Sequence, residues 1–545
     1  MKKLMLIYGL FVIVWVSQAF SAYAQNCDHL ISSSQTVVDG ANIQPGDTIC
    51  LESGNRTYLL FRNISGTENL PVIIVNQGNV IIDTDHFYGI KTSNCKHLKI
   101  IGSQPAESTY GIKVQRVGNG AGITLDDLST NIELAGIEIS HTALAGIYAK
   151  TDPDCSFEAT REKFTFYKLE IHDCYLHHIG DEGFYVGSSK YTGQYLPDCD
   201  TTVLPHLMHN VLIYNNLIED TGWDGLQVSS AVGDCRIYNN RIFRDSNKET
   251  FNQMSGILIG GGSECDCYNN QIFDGKGDGI DFFGHGDSKI YNNLIVRAGK
   301  SFEPDNPDES RHGIFIGTAP DNSSSSLSLL HNTIIDPKTT GIRYFNSYTA
   351  FNYIANNLIT RPGAFDQLGN NAYFNHSLTT DLYELTGNFF TQSIDLVNFV
   401  SFSEDNFDLK AESPAINSAT DLGYSAILFD ILERPRPHNN GFDQGAFECQ
   451  DVNASIAQIN NKNKKPYTII YKQTEEVIRI EVTKVESPLS FEIIDLNGHV
   501  VFRNPDKDFY SKVYHLPISH LNNGVYILKI IGFERVYVEK LGLFR

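Results

Sequence analysis

VLIYNNLI (211–218), CRIYNNRI (235–242), CDCYNNQI (265–272) and SKIYNNLI (288–295) are one phrase written four times, with worn copies at LLHNTII (329–335) and YIANNLI (353–359). Aligned on the second asparagine, they give a column of Asn216, Asn240, Asn270, Asn293, Asn332 and Asn357 whose spacing runs from 23 to 39 residues. Such a period marks one short supersecondary unit repeated along the chain with loops of unequal length. A second phrase follows each copy of the first: DEGFYV (181–186), WDGLQV (223–228), MSGILI (254–259), GDGIDF (277–282), RHGIFI (311–316) and TTGIRY (339–344). Each holds a glycine and then the alternation of a strand. The glycine is expected to take the positive φ of a tight corner.

Short strands joined by asparagine or glycine corners, with no helical stretch between them, cannot build crossover units; they can coil, each turn stacking in parallel on the last. The inward columns are then Val211, Cys235, Cys265, Ser288 and Ile213, Ile237, Cys267, Ile290. Cys265 and Cys267 have the look of a metal pair, but Cys267 stands where isoleucine stands in neighbouring turns, which makes it a core thiol. Cys235 and Cys265 stack directly, within bridging range of one another. The asparagine column reads as scaffold: stacked amides bond one another and the corner's backbone, and asparagine tolerates the left-handed conformation.

This pattern resembles the right-handed parallel β-helix (pectate-lyase-like) superfamily over residues 35–450. The phrases IQPGDTICLESG (43–54), NLPVIIVNQGNVII (69–82) and KHLKIIG (96–102) are similar to that family's first turns. The segment 412–448, ESPAINSATDLG…RPRPHNNGFDQGAFE, is similar to the closing segment of bacterial extracellular members. The resemblance implies an architecture and leaves the reaction open, because one fold hosts many functions.

The ends of the chain speak to its destination. Lys2 and Lys3, the apolar run Leu4 to Val16 and the triplet Ala22-Tyr23-Ala24 have the parts of a cleaved signal peptide, residues 1–24. The run is short for a bilayer span, and no later segment is apolar enough to make one. A β-helix domain over 25–450 leads to a polar linker, 451–465, and then to 466–545, where YTIIYK, EVIRIEV, SFEIIDLNGHVVF and LNNGVYILKIIG alternate as β-sandwich strands do. FEIIDLNGHVVF (491–502) and HLPISHLNNGVYILKI (515–530) resemble the C-terminal sorting domain of the Bacteroidota type IX secretion system. That implies dealings with the secretion machinery, export through the outer membrane, and release or attachment at the cell surface. The expected class is all-β, a right-handed parallel β-helix solenoid followed by a small C-terminal β-sandwich. Ten cysteines fit an oxidising destination, with Cys155 and Cys199 placed to staple two loops and Cys27 and Cys50 to close the N-terminal cap. A net charge of −22 disfavours nucleic acid and anionic lipid as partners, and is compatible with calcium.

After the corner glycine, residues alternate inward and outward. Phe184, Leu226, Ile257, Ile280, Ile314 and Ile342 point in; Tyr185, Gln227, Leu258, Asp281, Phe315 and Arg343 point out. Two positions on, Gly187, Ser229, Gly260, Phe283, Gly317 and Phe345 form a strip of mostly small residues. Aromatics, an amide, a carboxylate and a guanidinium on one shallow face suit a sugar chain, with Tyr185, Gln227, Phe315 and Lys190 as binding candidates. The catalytic candidates are Asp281, His285, His312, Arg343, Asp224 and Asp278. Asp-Gly is also simply a good turn, which applies to Asp224 and Asp278; a mid-strand outward Asp281 serves no turn. Asp224 and Asp278 lie two coils, roughly 10 Å, apart, near the upper end for an inverting acid–base pair. GDGIDFFGHG resembles the polygalacturonase-type hydrolases, but Gly284-His285-Gly286 follows on the same coil, and both the adjacent aspartates and an Arg-Ile-Lys phrase are missing. A lyase would draw on Arg343, His285, His312 or Lys190 as base, and on acidic Asp181 and Glu182 for Ca²⁺. The function expected is action on a polysaccharide or surface glycan, as lyase or hydrolase. The alternative is a non-catalytic glycan-binding or adhesive surface protein.

Overall fold

In the computed structural model, residues 27–450 are described apart from 103–109, 305–308, 318–325, 346–349, 379–381, 424–426 and 439–440. Of the C-terminal part, 467–472, 477–482, 490–494, 500–503, 513–517, 521, 524–531 and 536–543 are described. The expected signal peptide and linker lie outside the described residues. The chain divides into two compact units, one running through Thr420 with Phe429–Gln450, the other Asp451–Arg545 with Asp421–Leu428.

The first unit is a right-handed parallel β-helix whose coils have three strands each. One coil shows the plan: Cys265–Tyr268 on the first face, Gln271–Phe273 on the second and Asp278–Phe282 on the third. Each strand pairs in parallel with its counterpart one coil away, and the registers Val211 beside Cys235, Cys235↔Cys265 and Cys267↔Ile290 place the predicted inward columns on top of one another. All of these residues are buried, and the inward residues of the third face are fully so. The third face is a sheet of twelve described strands. Six of them carry the candidate site: β1 (Phe184–Val186), β2 (Leu226–Val228), β3 (Ser255–Ile259), β4 (Asp278–Phe282), β5 (Ile314–Ile316) and β6 (Ile342–Tyr344).

The asparagine column is a hydrogen-bonded ladder. Asn216 Nδ2 donates to Asn240 Oδ1, Asn240 to Asn270, Asn270 to Asn293 and Asn293 to Asn332, each at 3.0 Å, and the ladder runs on through Asn357 to Asn388. Each amide also donates to a strand carbonyl, as Asn270 does to Ile237 at 2.9 Å, and each Oδ1 accepts a backbone N–H from the coil before it. Buried backbone groups that would otherwise have no partner at the corner are thus satisfied.

Two details of the corner differ from the sequence reading. The left-handed residue is the one before the ladder asparagine: Asn215, Asn239, Asn269 and Asn292 have φ of 53–56°. The second is the glycine. Gly183, Gly225, Gly256, Gly279, Gly313 and Gly341 are not among the positive-φ residues. Their glycine is demanded by space, since a Cβ at Gly225 would stand 2.6 Å from the Gly256 carbonyl oxygen and 2.7 Å from Ile242 Cγ2. Sequence alone shows that a side chain is absent, not which of the two constraints removed it.

Disulfides join Cys27–Cys50, Cys155–Cys199 and Cys235–Cys265, while Cys267 is a buried free thiol. The Cys235–Cys265 bridge closes a separation of 30 residues. Replacing both by alanine is expected to lower the unfolding free energy by about 3 kcal/mol, measured by urea denaturation. The closing segment does more than cover an end. Its Ala446 and Phe447, with Val397, Phe399 and Phe407 of the stretch before it, form a second core against Phe273, Leu294, Val296, Ile335 and Leu358, on the outer side of the second face. There the fully buried Arg436 pairs with Glu448 at 3.1 Å and donates to Asn292 Oδ1 at 3.1 Å.

The second unit has two antiparallel sheets, of three strands (Tyr467–Lys472, Val477–Val482, Val513–Pro517) and four (Val500–Arg503, Ser490–Ile494, Gly524–Ile531, Val536–Leu543). Ile480, Phe491, Ile493, Leu516 and Leu528 are buried within it.

Candidate functional site

On the third face, register sets the outward column: Tyr148↔Tyr185↔Gln227↔Leu258↔Asp281↔Phe315↔Arg343. One pocket of about 380 Å³ opens on this column, lined by Asp278, Asp281, His312, Phe315 and Arg343, together with Leu258, Phe283, Ser310, Arg311 and Phe251, Asn252 and Met254. Four of the six catalytic candidates therefore meet in one cavity. Phe251 and Ser310 were not foreseen, because they stand on loops of irregular length outside any repeat column, and Arg311 was passed over although it opens the repeat phrase RHGIFI. Arg311 had one legible signal, its place directly before His312 at the corner.

Asp278 and Asp281 are both at least nine-tenths buried. Asp278 Oδ1 accepts the backbone N–H of His312 on the next coil, and burial, against the pull of Arg311, raises its pKa to about 7. Asp281 is raised well above the ordinary carboxylate range by burial and then by the charges of Asp278 and Asp224, and its Oδ1 is buried with no hydrogen-bond partner. A partnerless buried carboxylate oxygen is rare enough to call for a function or a ligand.

Around the carboxyls sit two guanidiniums and a neutral imidazole. His312 Nδ1 bonds Thr340 Oγ1 at 2.7 Å and Nε2 bonds Ser310 Oγ at 3.0 Å. Burial, then Arg343 and Arg311, push its pKa down to about 3, so it is uncharged at neutral pH. Arg343 donates to Ser310 Oγ at 3.0 Å and lies over the rings of Phe345 and Phe315, at 4.9 and 5.7 Å. Arg311 lies over Phe302 at 4.5 Å. The Nε atoms of both arginines are buried without a partner. Phe283 and Phe315 meet edge to face at 5.7 Å, an apolar wall for a ring substrate.

The remaining candidates lie elsewhere. Asp224 is buried and accepts from Ser255 N and Oγ, each at 2.8 Å, which braces the corner beneath the outward column. His285 lies past the end of β4 against Tyr191, ring centroids 5.6 Å apart, and does not line the pocket. The strand ends before it, so the chain has turned off the third face by the time it reaches the imidazole. Tyr185 and Lys190 line a separate hollow with Lys150, Asp152 and Tyr195. Gln227 lies between the two cavities, buried, its Nε2 without a partner. Asp181 is paired with Lys248 at 3.0 Å, while Glu182 is buried, its pKa raised to about 7 mainly by desolvation. Among the described residues no three His, Cys, Asp or Glu side chains gather as a metal-holding group.

Residues 166–295 and 206–388 match a family model described as right handed beta helix region, and 474–542 match one described as secretion system C-terminal sorting domain. The chain is an exported β-helix protein. Its sorting domain directs it through type IX secretion to the cell surface or the medium, and no helix of the described residues is long and apolar enough to cross a membrane. No curated protein matches the sequence. Among solved structures it is similar to the pectate lyase Pel9A (13% identity, 78% of this chain and 98% of that one, TM-score 0.40). It is also similar to an alginate lyase from Paenibacillus sp. str. FPU-7 (14%, 57% and 96%, TM-score 0.36). A third is the A-module of the mannuronan C-5 epimerase AlgE4 of Azotobacter vinelandii (14%, 56% and 85%, TM-score 0.30).

Proposed function

We propose that this exported β-helix hydrolyses a glycosidic bond of a polysaccharide in the pocket over β4 and β5, with Asp278 and Asp281 as its acid–base pair. The observation that carries the reading is that two buried carboxyls on one strand line one pocket, both held above the usual carboxylate range. Two such groups in so little water do not ionise together; one keeps a proton to give to the leaving oxygen while the other is free to accept one. Glycoside hydrolysis needs that division of labour. Arg311 and Arg343 stabilise the ionised member and bind sugar oxygens, and Phe283 and Phe315 take the apolar face of a pyranose. Elimination by a lyase would need a strong base here. His312 has both ring nitrogens engaged and its pKa depressed, which makes it a poor base for that task.

The test is turnover of a panel of plant, algal and host polysaccharides by the purified chain, reading both new reducing ends and the ultraviolet absorbance of unsaturated uronates. Reducing ends alone support hydrolysis. Unsaturated products would replace it with elimination, and polymer retention without any product would replace catalysis with binding. Rate against pH is expected to be bell-shaped. Its acid limb rises through about pH 7 as Asp278 ionises to act as base, while Asp281, raised in addition by the Asp278 charge, keeps the proton to be donated.

A further inference from the structure

Four coils of the same outward column lie N-terminal to Asp281, and they carry a different kind of surface. Two hollows of about 570 and 510 Å³ adjoin there, sharing Lys150 and Asp152 in their walls. Tyr148 lines the first and Tyr185 the second; they are register partners with ring centroids 5.5 Å apart. Lys150 sits over the Tyr185 ring at 4.4 Å and is held by Asp152 at 3.0 Å. Between these hollows and the Asp281 pocket the floor holds Gln227 and Ser229, 3% and 1% exposed, with Gln227 Nε2 and Ser229 Oγ lacking hydrogen-bond partners. Buried donors without partners on the floor of a groove are what a ligand's oxygens would satisfy.

The walls carry mixed and largely paired charge. Asp126, Asp127, Asp152, Asp154 and Glu158 line the first hollow, with Lys91 paired to Asp126 and Asp127, Lys150 to Asp152 and Lys163 to Glu158, while the second hollow sets Lys150 and Lys190 against Asp152. Such walls offer a polyanion no continuous run of cations, whereas sugar hydroxyls donate well to carboxylates, and pyranose faces lie well on tyrosine.

From these observations we infer a second, non-catalytic binding station, centred on Tyr148 and Tyr185, that holds a neutral, hydroxyl-rich segment of the glycan whose reacting residue occupies the Asp281 pocket. The inference takes its direction from the proposed glycan site. By strand spacing, Tyr185 lies about 14 Å and Tyr148 about 19 Å from Asp281 along the axis, a reach of several sugar units.

Affinity electrophoresis of the full chain tests it, in gels holding soluble arabinoxylan, laminarin, galactomannan, polygalacturonate or alginate. The Asp281→Asn protein, which cannot consume its ligand, is expected to be retarded by at least one of the three neutral polymers. Adding Tyr148→Ala and Tyr185→Ala is expected to weaken that apparent Kd about tenfold or more. Asp152→Ala, at a side chain 55% exposed and so harmless to folding, is expected to weaken it in the same direction. Retardation by no neutral polymer, or retardation that all these variants leave unchanged, overturns the station. Turnover by the wild-type chain reports on the Asp281 pocket separately. Retention without products upholds the station and overturns the hydrolase, while products without a retention defect in the tyrosine variants do the reverse.

Discussion

Asp281→Asn is expected to remove turnover, by about a thousandfold or more, and to make the protein more stable at about pH 8. The two effects share one cause. Burial and the neighbouring carboxylates disfavour the charged form of Asp281, so the fold holds its proton to higher pH than the unfolded chain does. A carboxyl whose pKa is raised by folding costs stability as pH climbs from its ordinary value through the folded one. Above that window the wild type bears the full cost of an ionised, buried group and the amide bears none. Towards the ordinary carboxylate range the folded and unfolded chains differ less in protonation, and the advantage of the amide shrinks. Thermal melting of both proteins at the two pH values measures it: a gain of several degrees at pH 8 that narrows at pH 5. Asp278→Asn is expected to follow the same course, with its window reaching about 7. A variant that lost stability at both pH values would mean that Asp281 is a structural brace. A gain in stability at the expense of chemistry is the usual sign of a working site.

Asn270→Ala is expected to cost about 3–5 kcal/mol of unfolding free energy, among the largest effects of any polar substitution in the helix. Asn270 Oδ1 accepts from Asn240 N and from Asn240 Nδ2, at 3.1 and 3.0 Å, and its Nδ2 donates to the Ile237 carbonyl and to Asn293 Oδ1. Alanine takes all of these partners away in a place that water does not reach. The neighbouring Asn269, at φ 55°, makes the control, because it supplies conformation to the corner, while Asn270 supplies bonds. Asn269→Gly is expected to change stability by less than about 1 kcal/mol, since glycine accepts that φ without strain. Urea denaturation of the two variants side by side separates the roles. Equal losses would mean that the ladder is ornamental and the corner alone matters.

The contrast between these two experiments follows the line between what was readable in the chain and what was not. A solenoid stacks each coil on its neighbours, so residues at matching positions of a repeat are in contact by construction. For that reason the inward columns, the asparagine ladder, the Cys235–Cys265 stack and the outward row from Tyr185 to Arg343 could be written down before any coordinate. The sorting domain at the C-terminus was equally legible, since FEIIDLNGHVVF and NNGVYILKI are local strings. Loops obey no such rule. Phe251 and Ser310 reach the pocket from insertions whose lengths differ from coil to coil, and His285 turns away from it although it stands only four residues after Asp281. What a glycine is for was likewise hidden, because an absent Cβ reads the same whether φ or a neighbouring carbonyl forbids it. Chain order alone thus determined the coil and the rows of side chains along it. Only the folded loops decided which members of a row are shut away from water, and desolvation is what separates the raised carboxyls of Asp278 and Asp281 from ordinary surface aspartates.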